Sequence, residues 1–276
     1  MTKMDVSIQD HYGRGSLLAR IDRALRESGI DPDHPRCQDL YSYDQLHGRG
    51  IDATREHADR AGLRANMHAL DLGCGIGGAS RYLAAEYDCR VTGVDLTQEY
   101  VDAARLLTAR CGLAARIEFH RADALCLPFD ADAFDHVWCH NVTMNIADKK
   151  ALAAEVARVL KPGGRFSCAE IAQGPGGPPV YPLPWASDAS FSFLATPEEM
   201  RVHLEAGGLR VLEQIDLSEA SRAAIQDNMK RAERAEPPRQ RTDVVMGDDF
   251  PVRARNSAKS ALEGRLLAYL HIAERP

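Results

Sequence analysis

Four of the six residues 73–78 are glycines, and they directly follow the apolar run 67–72. Glycine allows the backbone to adopt positive φ angles and to approach a ligand closely. An apolar run, a glycine-rich turn and then the amphipathic segment 79–86 are typical of a buried parallel strand that leads into a helix. The sequence therefore predicts a ligand-binding loop at the carboxyl end of a parallel strand.

Short apolar runs alternate with amphipathic segments from residue 67 to residue 216. This alternation predicts βαβ units, and hence an α/β fold with a doubly wound, mostly parallel sheet. Ligands of such sheets bind at the carboxyl ends of the strands. We therefore expect Asp71, Asp95, Asp123 and His140 to lie along one edge of one crevice. The runs read as strands are 67–73, 89–96, 115–123, 134–142, 165–172 and 209–217.

The regions outside this alternation suggest additional parts of the molecule. Residues 1–66 are polar with a helical pattern and are expected to form an N-terminal helical lid on the main domain, 67–276. The Pro- and Gly-rich stretch 173–195 is long for a connector, which favours a substrate lid. The charged segment 220–236 is interpreted as a solvent-exposed helix. A further helix and a last strand at 265–274 complete the predicted C-terminal part.

Composition narrows the class of protein. The chain has 276 residues, of which 45% are hydrophobic and 27% charged, with a net charge of −6. This is typical of a folded domain and disfavours nucleic-acid binding. There is no signal-peptide pattern and no apolar stretch of membrane-spanning length. Seven scattered cysteines without metal-ligand spacing indicate reduced thiols, no metal site and a cytoplasmic protein. A homo-oligomer is left open.

The glycine loop satisfies two patterns at once. Gly73, Gly75 and Gly78 fit G-x-G-x-x-G, which is typical of dinucleotide binding, whereas Asp71, Gly73, Gly75 and Gly77 fit D-x-G-x-G-x-G. The glycines alone therefore leave an NAD-dependent oxidoreductase open, as well as a binding protein without catalytic activity. A carboxylate at Asp71 favours a cationic ligand over a pyrophosphate, because it would repel the phosphate charge.

Five motifs in order resemble class I S-adenosylmethionine-dependent methyltransferases, over about residues 67–172. They are ALDLGCGIGG, VTGVDL, the Ala122-Asp123-Ala124 segment followed by LPF, FDHVW and LKPGG. The segments GCGIGGASRYLA, 140–149 and 181–186 further resemble the small-molecule methyltransferases of the glycine, sarcosine and dimethylglycine type. The resemblance implies a Rossmann-like methyltransferase fold with S-adenosylmethionine as the cofactor and a small molecule as the acceptor.

The resemblance also implies roles for residues at the cofactor. The glycines would lie under the methionine part and Asp71 near its ammonium, with Asn141 at the same end. Asp95 would bind the ribose hydroxyls, Leu96 would pack on the adenine, and Asp123 and Ala124 would bond the adenine. Gln45 lies in 41–50, a segment that resembles the part of such enzymes that closes over the cofactor. The expected cofactor residues are Asp71, Gly73, Gly75, Gly77, Asp95, Leu96, Asp123, Ala124, Asn141 and Gln45.

The acceptor is expected beyond the end of the fourth strand. His140 is the candidate general base, because histidine has a pKa near neutrality. Aromatic rings in 173–195 could attract a methylated amine through cation–π contacts, which favours N-methylation and leaves O- and C-methylation possible. The expected acceptor-binding residues are His47, Tyr43, Met144, Asn145, Tyr181 and Trp185.

Overall fold

The alternating segments form a seven-stranded sheet in the computed structural model, which describes residues 17–276. The strand order is β3-β2-β1-β4-β5-β7-β6, so β4 is the middle strand with β1 beside it, and the chain winds outward in both directions. The predicted doubly wound sheet is confirmed. The strands are β1 His68–Leu72, β2 Arg90–Asp95, β3 Ile117–Arg121, β4 Phe134–His140, β5 Leu160–Gln173, β6 Arg210–Asp216 and β7 Leu266–Glu274.

Strands β1 to β5 pair in parallel, and β7 is inserted antiparallel between β5 and β6. The last strand that the sequence predicted at 265–274 is therefore present. Strand β5 begins five residues before the predicted position, because Leu160 already pairs with Phe134. The Pro-Gly-Gly segment that was expected only to stop a helix lies inside this strand, where the Gly163 N–H donates to Arg275 O.

Helices cover both faces of the sheet and extend from both ends of the chain. The helix α7 has the predicted N-terminal cap, because Thr196 and Glu199 form a reciprocal capping box. Residues 1–16 of the predicted N-terminal lid lie outside the described residues. The helices are α1 Leu17–Glu27, α2 Cys37–Asp44, α3 Ile51–Ala61, α4 Gly78–Tyr87, α5 Gln98–Arg110, α6 Lys149–Val159, α7 Pro197–Ala206, α8 Ser218–Glu233, α9 Asp243–Met246 and α10 Phe250–Leu262, with 3-10 turns at Thr143–Asn145 and Ala189–Phe191.

The described N-terminal helices pack into the core of the protein. Leu17, Ile21 and Leu25 of α1 are buried in one apolar cluster with Ile76 of the glycine loop and Leu107 of α5. Burial of each such side chain contributes about 1.5–3 kcal/mol. Helices α1 and α2 are therefore fixed beneath the glycine loop by the same apolar contacts that hold α5.

A buried ion pair joins three helices under the glycine loop. Arg81 of α4 is fully buried, and its Nη2 donates to Asp44 Oδ2 of α2 at 2.8 Å. Its Nη1 donates to Thr108 Oγ1 of α5 at 3.1 Å. Burial raises the pKa of Asp44, and the charge of Arg81 opposes this effect. Because both charges have left water, each depends on the other for compensation.

We expect Asp44→Ala to lower the free energy of unfolding by about 3–5 kcal/mol, because it leaves the Arg81 charge buried without a partner. Urea denaturation followed by circular dichroism measures this. The double variant Asp44→Leu/Arg81→Met should recover most of the loss. Glu198→Gln, which removes one partner of the exposed pair with Arg201, is the control and should leave the unfolding midpoint unchanged. A midpoint for Asp44→Ala equal to that of the wild type would contradict the role of the pair.

Candidate functional site

A cavity of about 1090 Å³ lies at the carboxyl ends of the central strands. Pockets for small ligands usually measure about 300–1,000 Å³, so this one is slightly larger than that range. Most of the residues predicted at the site lie in its wall. They are Gln45, His47, Asp71, Gly73, Gly75, Asp95, Leu96, Asp123, Ala124, His140, Asn141, Met144, Asn145 and Trp185.

Hydrogen bonds fix the glycine loop to the neighbouring strand β2. The Gly73 N–H donates to Val94 O at 2.8 Å, and the Gly75 N–H donates to Asp95 Oδ2 at 2.9 Å. Gly73 has a φ of 75°, and a Cβ there would meet the Val142 side chain at 2.3 Å. The loop thus approaches the end of β4 as closely as its backbone allows, and only glycine fits.

Gly77 has a different place from the one predicted. It precedes α4 with a φ of 82°, and a Cβ there would meet Arg81 and Phe119, both at 2.9 Å. Gly77 is not among the residues of the cavity wall. The structure therefore does not support the predicted contact of Gly77 with the cofactor, and its role is to turn the chain above the buried Arg81.

Three carboxylates lie in the wall near the glycine loop. Asp71 is buried and accepts a hydrogen bond from Ser80 Oγ at 2.5 Å. Burial raises the pKa of Asp71 to about 6. Asp95 Oδ1 accepts from the Thr97 N–H, and Asp123 Oδ1 accepts from the Leu125 N–H, both at 2.9 Å. These backbone bonds orient the two carboxylates while leaving lone pairs for a ligand, so this end suits hydroxyl, amino and cationic groups.

The other predicted cofactor residues surround these carboxylates. Leu96 exposes 64% of its surface in the cavity wall, which provides an apolar face beside Asp95. Asn141 follows β4 with a φ of 55°, a conformation that asparagine tolerates, and its N–H donates to Ala169 O. Gln45 is buried between Asp44 and Thr54, whose hydroxyl donates to it at 2.6 Å.

Three histidine rings stack at the end of β4. The ring of His140 lies parallel to that of His47, with centroids 3.6 Å apart, and meets His57 edge-on at 5.3 Å. His57 in turn stacks on Trp138 at 3.4 Å. Within residues 17–276, His140 Nδ1 and both ring nitrogens of His57 are buried without a hydrogen-bond partner. His140 Nδ1 is therefore enclosed by protein and has no partner there among the described residues.

The predicted near-neutral pKa of His140 is wrong. Although the cavity reaches the ring, protein surrounds it, and this burial holds the pKa well below 6.5. The neighbouring His47 acts in the same direction, since two adjacent cations would repel each other. Burial likewise lowers the pKa of His47 to about 4. Both rings are therefore neutral at pH 7.

Two of the predicted acceptor residues do not reach the cavity. Tyr43 is buried against α1, where its hydroxyl lies 2.9 Å from Ser28 Oγ. Tyr181 lies outside the wall, so of the aromatic rings in 173–195 only Trp185 and Phe193 line it. The aromatic enclosure for a cationic amine that the sequence suggested is therefore not formed.

A buried polar network supports the turn that carries Met144 and Asn145. Glu170 of β5 accepts from Thr143 Oγ1 and lies 2.8 Å from His271 Nε2 of β7. Lys149 Nζ donates to the Thr143, Ile146 and Phe193 carbonyls at 3.0, 2.9 and 2.5 Å. Sequence reasoning missed this network, because its members are separated by up to 128 residues and share no motif.

The C-terminal helices contribute a wall that the sequence did not predict. One face of α8 lines the cavity with residues three or four apart, including Ser218, Arg222 and Ile225. The interpretation of 220–236 as a solvated helix is therefore wrong for this face. The charged composition of α8 concealed the periodicity of this face. In α10, the small residues Ala254 and Ala258 lie four apart and could have indicated a second helix that faces the cavity.

Within residues 17–276, no group of three or more His, Cys, Asp or Glu side chains is placed to hold a metal ion. No helix in this range has the length and apolar character needed to cross a membrane.

Residues 70–168 match the family model described as a methyltransferase domain. The chain is 34% identical over 129 residues to phosphoethanolamine N-methyltransferase 1 of Triticum aestivum, covering 47% of this chain and 26% of that protein. It is 30% identical over 170 residues to the O-methyltransferase cnsE of Penicillium expansum, covering 62% of each. The chain thus spans only about a quarter to three fifths of the length of these curated relatives.

The fold is also similar to that of solved structures. One is a putative sarcosine dimethylglycine methyltransferase from Galdieria sulphuraria, with a TM-score of 0.62 and 17% identity over 81% of this chain and 83% of that one. This agrees with the predicted Rossmann-like methyltransferase fold. The central part of the chain, residues 70–168, therefore matches a methyltransferase domain, and the fold is similar to that of this solved structure.

Proposed function

We propose that the protein transfers a methyl group from S-adenosylmethionine to a small-molecule acceptor. The observation that carries this proposal is the row of Asp71, Asp95 and Asp123 around the glycine loop at the mouth of one cavity. Carboxylates match the ammonium, ribose and adenine amino groups of this cofactor and would repel a pyrophosphate. None of the matched proteins reported above is an oxidoreductase, so they give no support to the NAD-dependent alternative.

In this proposal each wall residue has one task. Asp71 attracts the ammonium group, Asp95 binds the ribose hydroxyls, and Leu96 packs on the adenine. Asp123 and Ala124 bond the polar edge of the adenine, and Gln45 and Asn141 bound the methionine end. S-adenosylmethionine supplies an electrophilic methyl group on a sulfonium.

The chain's own contribution to catalysis is alignment and exclusion of water. Met144 and Asn145 are held by the Glu170 and Lys149 contacts, and the Asn145 Nδ2 donates to Trp185 O at 3.0 Å. This bond ties the loop 173–195 to the acceptor side of the cavity, which supports its role as a substrate lid. His47 and His140 stand beside it as neutral rings.

His140 is proposed as the proton acceptor for a nucleophile that arrives protonated. Its low pKa makes it a weak base but keeps it unprotonated, so it can accept a proton throughout the neutral range. The sequence favours nitrogen as the atom that receives the methyl group. Two of the rings expected in 173–195, Trp185 and Phe193, line the cavity, and oxygen and carbon acceptors are the alternatives to a cationic amine.

We further propose a cytoplasmic protein whose partner is this acceptor and not a nucleic acid. All seven cysteines are free thiols, which supports a reducing compartment. That the chain forms a homo-oligomer stays a prediction, which analytical ultracentrifugation can test.

The proposed function is tested by two measurements on the full chain. Calorimetry should show binding of S-adenosylhomocysteine and no binding of NADH. A labelled-methyl assay with S-adenosylmethionine over amines, phenols and carboxylic acids should show transfer to one class. Binding of NADH without S-adenosylhomocysteine would overturn the proposal, and cofactor binding without any transfer would favour a non-catalytic role.

We expect the affinity for S-adenosylhomocysteine to fall as the pH drops below about 6. The pKa of Asp71 is raised to about 6, so the carboxylate is charged above that pH and loses its attraction for the ammonium below it. Calorimetry between about pH 5 and 7.5 measures this dependence, with at most about a tenfold loss per pH unit for one proton.

Asp71→Asn is the matched variant for this measurement. This variant should bind S-adenosylhomocysteine more weakly at pH 7.5, and its affinity should depend less on pH. Burial also raises the pKa of Asp44, but Asp44 is present in both proteins and so does not account for a difference between them. His47 does not interfere, because its pKa is lowered to about 4. An unaltered pH profile in Asp71→Asn would assign the dependence to another group.

We expect His140→Gln to lower kcat by about 10²–10⁴-fold if the nucleophile must lose a proton, since this is the usual contribution of a positioned base. The dissociation constant of S-adenosylhomocysteine should change little. In the wild type, kcat should show no step near pH 6.5 from this residue, because its pKa lies well below that value. An unchanged kcat in the variant would remove His140 from the base role.

A further inference from the structure

The cavity continues past the predicted cofactor site into a second part, which we call the distal compartment. Its wall includes the apolar side chains of Ile171 of β5, Ile225 of α8, Ala254 and Ala258 of α10, and Leu267 of β7, with the polar Ser221, Asn228 and Ser257 beside them. The two alanines keep the facing helix from filling the space. The compartment therefore suits an apolar molecule.

The sheet fixes the position of the distal compartment relative to the site of methyl transfer. Strand β7 lies three strand positions from β1 and two from β4, which ends at His140. With about 4.8 Å between neighbouring strands, the β7 wall lies on the order of 10 Å from the end of β4. Helix α8 starts on this wall, because the Ala268 N–H donates to Ser218 Oγ at 3.1 Å.

Arg222 lies one turn after Ser218 and also lines the cavity. Within residues 17–276 it forms no ion pair and no hydrogen bond. The two other arginines of the C-terminal part in the cavity wall are paired: Arg231 with Glu236 at 2.8 Å, and Arg239 with Asp227 at 3.3 Å. A cation next to apolar surface favours an anionic group strongly, since water screens the attraction poorly there.

Within residues 17–276, the wall charges that have no ionic partner differ in sign between the two ends of the cavity, because Arg49, Arg231, Arg239 and Glu236 of the same wall are paired. Asp71, Asp95 and Asp123 line the cofactor end, and Arg222 lines the distal compartment. An anionic group would be repelled at the first end and attracted at the second. A molecule with an anionic group and an apolar body would therefore enter in one orientation only.

We propose that the methyl acceptor is an amphipathic small molecule with an anionic group bound by Arg222 and an apolar body in the distal compartment. That this molecule is the methyl acceptor rests on the proposed function, whereas the binding of an anionic amphiphile at Arg222 does not depend on it.

The test uses decanoate below its critical micelle concentration, with decanol and decylamine as matched probes. Calorimetry on the full chain, alone and saturated with S-adenosylhomocysteine, should show that decanoate binds more tightly than either probe. Arg222→Gln should weaken decanoate by about 10–100-fold, the value of a hydrogen bond to a charged group, and leave decanol unchanged. Equal binding of the three probes, or of decanoate to the variant and the wild type, would overturn the anionic subsite.

Matched variants separate these effects from general damage. Arg255→Gln removes an exposed charge from α10 outside the cavity wall and should not alter decanoate binding. Ala258→Trp should fill the compartment and abolish binding of decanoate and decanol, whereas Ala223→Trp on the exposed face of α8 should not. If Ala258→Trp does not fold, Ala254→Leu replaces it. Unchanged binding in the filled variant would overturn the compartment.

The outcomes also separate this inference from the proposed function. If S-adenosylhomocysteine fails to bind but decanoate binds in an Arg222-dependent manner, the proposed function fails and the anionic subsite stands. If S-adenosylhomocysteine binds and none of the three probes does, the acceptor class is wrong and the cofactor site stands.

Discussion

The buried pair of Asp44 and Arg81 is the interaction on which the arrangement of the site depends. It connects α2, α4 and α5 directly below the glycine loop, and Gly77 turns the chain immediately above the guanidinium. Two desolvated charges stabilise the fold little in total, but each is costly without the other. The pair therefore fixes the position of α2, and with it Gln45 and His47, which follow that helix in the cavity wall.

Desolvation has a different consequence for each group of titratable side chains in the cavity. It raises the pKa of Asp71 to about 6, close to neutrality, so this carboxylate is sensitive to a cationic ligand. It holds the stacked rings of His47 and His140 neutral. The cofactor end thus gathers negative charge while the end of β4 carries none. Arg222 adds a positive charge without an ionic partner among residues 17–276 in the wall of the distal compartment, and in our proposal this charge would bind the anionic group of the acceptor.

Much of the fold could be predicted because its signals are local. The glycine loop, the ends of the central strands and the cap at Thr196 each follow from residues within one turn or one strand. Asp95 and Asp123 could be placed for the same reason, since parallel strands bring their carboxyl ends to one edge. The predictions failed for Tyr43 and Tyr181, because whether an aromatic ring packs on a helix or lines a cavity depends on distant neighbours.

The sequence by itself determined the doubly wound sheet, the glycine loop and the acidic cofactor end, because periodicity and short motifs encode them. The tertiary structure alone decided the low pKa of His140, the Glu170 network and the inward face of α8. Each of these results from contacts between segments far apart in the chain. Burial and long-range packing set the electrostatics of the cavity and the shape of the distal compartment, and no local pattern in the sequence records them.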